Sequence, residues 1–77
     1  MKEFIEYIAK HLVDHPEKVE VLENSPEENR VILSLKVESD DVGKVIGKQG
    51  KTAQAMRTLL TAIAAKDGKR AILEILD

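Results

Sequence analysis

The sequence predicts an α+β fold in which three helices cover one face of a three-stranded mixed sheet, in the order αββααβ. Three observations carry that expectation. Apolar residues recur at helical spacing over residues 4–13 and alternate at strand spacing over residues 31–37. A Gly-x-x-G turn, Gly47 to Gly50, then joins two further helical patterns.

Taken in order, Phe4, Ile5, Ile8, Ala9, Leu12 and Val13 form the stripe of a helix lying on a sheet, and Pro16 ends it. The first strand is Lys18–Glu23, with Val19 and Val21 on one face and Glu20 opposite. Asn24-Ser25-Pro26-Glu27-Glu28-Asn29 is turn chemistry, with proline suited to the second position of a type I turn. In the second strand Val31, Leu33, Leu35 and Val37 face the core, alternating with Arg30, Ile32, Ser34 and Lys36. Ser39 reads as the N-cap of a short helix, with Asp40 and Asp41 complementing its positive end.

Val42, Val45 and Ile46 are the apolar side of that helix, divided between core and surface in a way the spacing leaves open, and Gly47 ends it. The next helix runs from about Lys51 to Lys66. Ala53, Met56, Leu60, Ile63 and Ala64 form its inner stripe, and Gln54, Arg57, Thr58 and Thr61 its wet face. Asp67-Gly68 closes it. The last strand, Arg70–Leu76, sets Ile72 and Glu74 on one face and Ala71, Leu73 and Ile75 on the other. A hairpin makes the first two strands antiparallel, and the helix pair is a right-handed crossover that makes the second and third parallel.

A chain of 77 residues has room for one domain, and without cysteine it has no disulfide to support a small core. The lack of cysteine fits a reducing cytosol. Acids inside the N-terminal apolar stretch exclude a signal peptide, and no run approaches membrane-spanning length. The expectation is a soluble cytoplasmic protein with no membrane contact.

The net charge of −2 hides a split. Residues 1–42 carry five basic and eleven acidic groups, whereas residues 43–70 carry seven basic groups against Asp67 alone. Lys44, Lys48, Lys51 and Arg57 lie on or beside the Gly-x-x-G turn. Exposed charges are screened beyond about 8 Å at physiological salt, so this local cluster and not the total steers a polyanion.

The segment Val45-Ile46-Gly47-Lys48-Gln49-Gly50, set between two helices in an αββααβ order, resembles a type II KH domain. The wider run from Asp41 to Thr52 resembles the small bacterial single-KH family KhpA, and the length matches end to end. The resemblance implies that the turn clamps about four nucleotides of single-stranded RNA. The residues it places at RNA are Lys44, Val45, Ile46, Gly47, Lys48, Gln49, Gly50, Lys51, Thr52 and Arg57. It further implies self-association, pairing with a Jag-type KhpB protein, and a post-transcriptional or RNA-chaperone role bearing on cell elongation and division. One departure stands out: many KH domains have a large aliphatic residue three positions after the second glycine, and here that position is Ala53. The smaller side chain implies a shallower groove and weaker base preference.

In that groove Lys48 and Gln49 project from the tip toward phosphate oxygens, flanked by Lys44 and Lys51. Backbone N–H groups of Gly50, Lys51 and Thr52, at the start of the following helix, face the same way. The only aromatics, Phe4 and Tyr7, belong to the first helix, so base stacking does not carry affinity. A single domain with a few phosphate contacts binds weakly, and two linked sites raise affinity. Ala55, Leu59 and Ala62 widen the apolar arc of the long helix beyond what one sheet face needs, which points to a two-fold dimer contact unless neighbouring loops cover it.

Other classes fare less well. Val45 to Thr52 imitates a phosphate-binding Gly-x-x-x-x-Gly-Lys-Thr loop, but Val45 stands where the first glycine belongs and the segment follows a helix, not a strand. No enzyme, cofactor or metal site is expected. His11 and His15 have the i, i+4 spacing of a helical metal pair, yet no third ligand beyond Asp14 presents itself and Pro16 unwinds the second histidine. The competing reading is a KH fold used as a protein-interaction module with vestigial RNA contact.

Overall fold

The computed structural model describes residues 1–76. The helices are α1 (Lys2–Leu12), α2 (Val42–Ile46) and α3 (Lys51–Lys66), and the strands are β1 (Glu20–Glu27), β2 (Arg30–Lys36) and β3 (Arg70–Leu76). Single 3₁₀ turns at Pro16–Lys18, Ser39–Asp41 and Lys48–Gly50 join them. β2 is the central strand, antiparallel to β1 and parallel to β3, as the hairpin and crossover require.

The core lies between this sheet and the helices. Val31, Leu33 and Leu35 of β2 and Leu73 of β3 meet Ile5 and Ala9 of α1, Val45 of α2, and Met56 and Leu60 of α3. Ile5, Leu33, Leu35, Leu60 and Val45 are fully enclosed, each contributing roughly 1.5–3 kcal/mol of burial. The buried positions Val31, Leu33, Leu35 and Val37 are those the alternation over residues 31–37 assigns to the core.

The hairpin is longer than its turn chemistry suggests. Pro16–Lys18 forms a 3₁₀ turn, and β1 begins only at Glu20 instead of Lys18. It then runs on through Asn24, Ser25 and Pro26 to Glu27, which pairs with Arg30, so the reversal is confined to Glu28 and Asn29. The register shifts between Asn24 and Glu27. Pro26, which has no N–H to give, is accommodated at this irregularity because β1 is an edge strand.

α1 stops at Leu12, so His11 and His15 do not share a helix. Tyr7 is exposed, and its ring lies against His11 with centroids 4.4 Å apart. No helix among the described residues is long and apolar enough to cross a membrane.

Candidate nucleic-acid interface

The approach to the Gly-x-x-G turn differs from its sequence reading. Ser39 caps no helix. It opens the 3₁₀ turn Ser39–Asp41, and its hydroxyl donates to the Glu38 carboxylate at 3.3 Å. Asp41 then occupies the N-cap position of α2 but directs its carboxylate away from the helix. It accepts the backbone N–H of Asp14 at 3.2 Å and that of His15 at 3.0 Å, where the chain leaves α1. The third partner is the Lys44 ammonium at 3.2 Å. Asp41 is 0% exposed, the one buried charged residue among those described.

Burial alone would push the Asp41 carboxyl up. The Asp14 N–H, the Lys44 ammonium and the His15 N–H outweigh that and hold it below the ordinary aspartate value. Lys44 also meets the exposed Asp14 carboxylate at 2.9 Å. Its hydrogen bonds to Asp14 and then to Asp41 raise its pKa. Lys44 is therefore an ion-paired residue folded back on α1. The sequence reading assigns Asp41 only a helix-dipole role, although its i, i+3 spacing to Lys44 is a visible signal of a pair on one helix face.

The apolar side of α2 divides unequally. Val45 is fully buried in the core, Val42 is half-buried, and Ile46 is 38% exposed. Any apolar groove floor beside the turn thus falls to Ile46 and Val42 and not to Val45. Ala53 is 3% exposed, so this small residue fits α3 close against its neighbours and is not a groove surface.

Three of the four turn residues have positive φ, with Lys48 the exception: Gly47 has φ +79°, Gln49 +59° and Gly50 +75°. The two glycines are required for different reasons. A Cβ on Gly47 would stand 2.8 Å from the Thr52 backbone nitrogen, with the Thr52 side chain nearer still. A Cβ on Gly50 would meet nothing within 4 Å, so only its φ asks for glycine and the space in front of it is open. The Gly50 N–H donates to the Gly47 carbonyl at 3.1 Å and the Lys51 N–H to that of Lys48. Two of the three N–H groups expected at phosphate are thus committed within the turn, leaving Thr52, whose N–H has no acceptor in the ladder of α3 itself.

Lys48, Gln49 and Lys51 are exposed. Neither lysine makes an ion pair among the described residues. Arg57 lies farther along α3, where its Nε donates to the Leu73 carbonyl of β3 at 3.3 Å. β3 is an edge strand, so this bond ties the exposed Arg57 to the strand at the free edge of the sheet. A cleft of 820 Å³ lies elsewhere, at the ends of β2 and β3. Its walls set Glu17, Glu20 and Glu38 against Lys18 and Lys36, and it does not share the basic character of the turn. Ala55, Leu59 and Ala62 are exposed on the outer side of α3, with Leu59 at 51%. No other part of the described chain covers them.

Residues 2–75 match the family described as KhpA/KhpB, KH domain. The chain is 54% identical to the RNA-binding protein KhpA of Clostridium perfringens over 76 residues, covering 99% of this chain and all of that one. It is 51% identical to RNA-binding protein KhpA of Aquifex aeolicus, covering all of this chain and 96% of the relative. The corresponding protein of Treponema pallidum is 54% identical over 99% of this chain and 94% of its own length. No solved structure matches. With a whole-length family match, a three-stranded mixed sheet under three helices, and the Gly47–Gly50 turn between α2 and α3, the chain belongs to the KhpA/KhpB family of KH-domain proteins, which is not a family of enzymes.

Proposed function

We propose that this protein binds single-stranded RNA through the Gly47–Gly50 turn, acting as one KH unit in the cytoplasm. The observation that carries this reading is the turn itself: left-handed backbone at both glycines, open space before Gly50, and two exposed lysines with no acidic partner. The relatives' shared name, RNA-binding protein, supports the same reading. A strand would pass over Gly47 and Gly50, with Lys48 and Gln49 reaching phosphate oxygens as point charge and hydrogen-bond donor. Lys51, Thr52 and Arg57 would continue the track along α3, and Ile46 would supply apolar contact. With no aromatic ring at the turn, affinity rests on phosphate contacts and is weak for one domain.

The exposed arc of Ala55, Leu59 and Ala62 supports a second part of the proposal, a homodimer through α3 that links two RNA sites. The same face would serve a KhpB-type KH partner, and a post-transcriptional or RNA-chaperone role follows from linked, weakly selective sites. Filter binding of mixed-sequence RNA across a salt series tests the central claim. Affinity should fall steeply with salt, in proportion to the phosphates neutralised. No RNA signal at any salt would leave a protein-interaction module in its place.

A further inference from the structure

We infer that the buried Asp41 carboxylate, clasped by Lys44 and backed by Asp14, is a positioning residue that sets the angle at which α2 delivers the Gly-x-x-G turn. On this inference Lys44 holds the turn in place and is not an RNA ligand. It rests on the RNA-clamp reading of the turn.

α2 has five residues, a little over one turn, which is too short to be stable alone and depends on its side-chain anchors. Val45 enters the core and Val42 packs half-buried against it, which fixes the depth of the helix and the face it turns inward. Asp41, four residues earlier, fixes the other end by binding two N–H groups of the segment that leaves α1. Asp41 and the two valines together define the direction of the short helix, and the Gly47 N–H is tied into α2 by the Gly43 carbonyl at 2.9 Å. The direction of α2 is thus handed to Gly47 and through it to the turn.

Lys44 completes the clasp. Asp41 has no exposure, and a buried carboxylate without its counter-charge is costly. Lys44 neutralises it and bridges onward to Asp14, so the ammonium is bound by two acids on the α1 side of the helix. A phosphate would find only one N–H of this ammonium free and two carboxylates beside it, whereas Lys48 and Lys51 have no acidic partner among the described residues. The four basic groups near the turn therefore divide by role: Lys44 holds the frame, and Lys48, Lys51 and Arg57 face the strand.

The test compares Lys44→Gln, Lys51→Gln and Asp41→Asn for RNA affinity, salt slope and amide hydrogen exchange. Lys51→Gln should lower the salt slope by about one. Lys44→Gln should weaken binding severalfold at every salt concentration with the slope unchanged. It should also speed exchange of the Gly47 and Gly50 amides while leaving the β2 and β3 amides protected. Asp41→Asn should do the same more strongly, weakening binding about tenfold, the equivalent of one lost hydrogen bond to a charged group. A slope lowered by about one in Lys44→Gln, with Gly47 and Gly50 exchange as in the parent, would make Lys44 a phosphate ligand and overturn the inference. Parental exchange at those amides in Asp41→Asn would also overturn it. If Asp41→Asn does not fold, Lys44→Gln decides alone, because its ammonium is partly exposed and outside the apolar core. Exchange is measured without RNA, so a parent that binds no RNA defeats the clamp reading while the exchange arm still decides whether the clasp positions the turn.

Discussion

The two sides of the Gly-x-x-G turn are made of opposite materials. Within α2 and its N-cap the charges are paired and the core residue enclosed: Asp41 is buried, Lys44 is paired twice, and Val45 is sealed in the core. On the α3 side Lys48 and Lys51 have no partner among the described residues, and Leu59 leaves half its surface in water. One side holds position and the other is unsatisfied. A count of basic residues near the turn treats Lys44 and Lys48 as equals, yet only unpaired charge adds to the field a polyanion meets.

The sharpest way to break this comparison is to attack each material where it is least replaceable. Gly47→Val forces a β-branched residue to φ +79° against the Thr52 backbone, and should destabilise the fold by about 3 kcal/mol in urea titration. Gly50→Ala, with open space around it, should cost only about 1 kcal/mol, from its left-handed backbone alone. Equal costs would mean that the Gly47–Thr52 packing is absent in solution. At the tip, Lys48→Asp with Gln49→Asp should abolish RNA binding and leave the urea midpoint unchanged, since exposed tip residues contribute little to stability. Parental RNA binding by this double variant would remove the clamp from the turn.

Leu59→Asp probes the other unsatisfied feature of the α3 side. If Ala55, Leu59 and Ala62 meet their copies across a two-fold axis, the charge leaves a folded monomer whose RNA affinity falls tenfold or more, because linkage of sites is worth about 10²–10⁴ in avidity at best. Sedimentation distinguishes the two cases. A parent already monomeric at tens of micromolar, with the variant unchanged, would return the arc to the ordinary scatter of surface apolar residues.

How far the chain alone reveals the fold depends on where one local pattern decides the outcome. β2 is legible because each of its side chains obeys a period of two, and α3 because sixteen residues give the helical period room to show. The bounds of β1 are not, since Asn24, Ser25 and Pro26 carry turn chemistry that edge pairing with β2 overrides. Ser39 and Asp41 depart from their capping signals for a related reason. Capping preference is a local tendency, whereas Asp41 is claimed by N–H groups that lie 26 and 27 residues away in sequence. The turn is legible as a motif, but the separate reasons for Gly47 and Gly50 emerge only with Thr52 in place.

The smallest expected effect is an absence of change, and it follows from the signs of two shifts. Asp41 has its folded pKa below the ordinary aspartate value, so its contribution to stability is present above the unfolded value near ~3.9 and is lost as pH falls through the folded one. Lys44 has its folded pKa raised, so its contribution is complete below the unfolded value near ~10.4 and is lost as pH rises through the folded one. Between those limits the clasp keeps one protonation state. Exchange of the Gly47 and Gly50 amides, corrected for its intrinsic pH dependence, should therefore show constant protection from about pH 5 to 9 and lose it only in stronger acid or base. A midpoint in amide protection inside that range would assign control of α2 to a group outside the Asp41–Lys44 pair. The clasp would then lose its claim to set the direction of the turn.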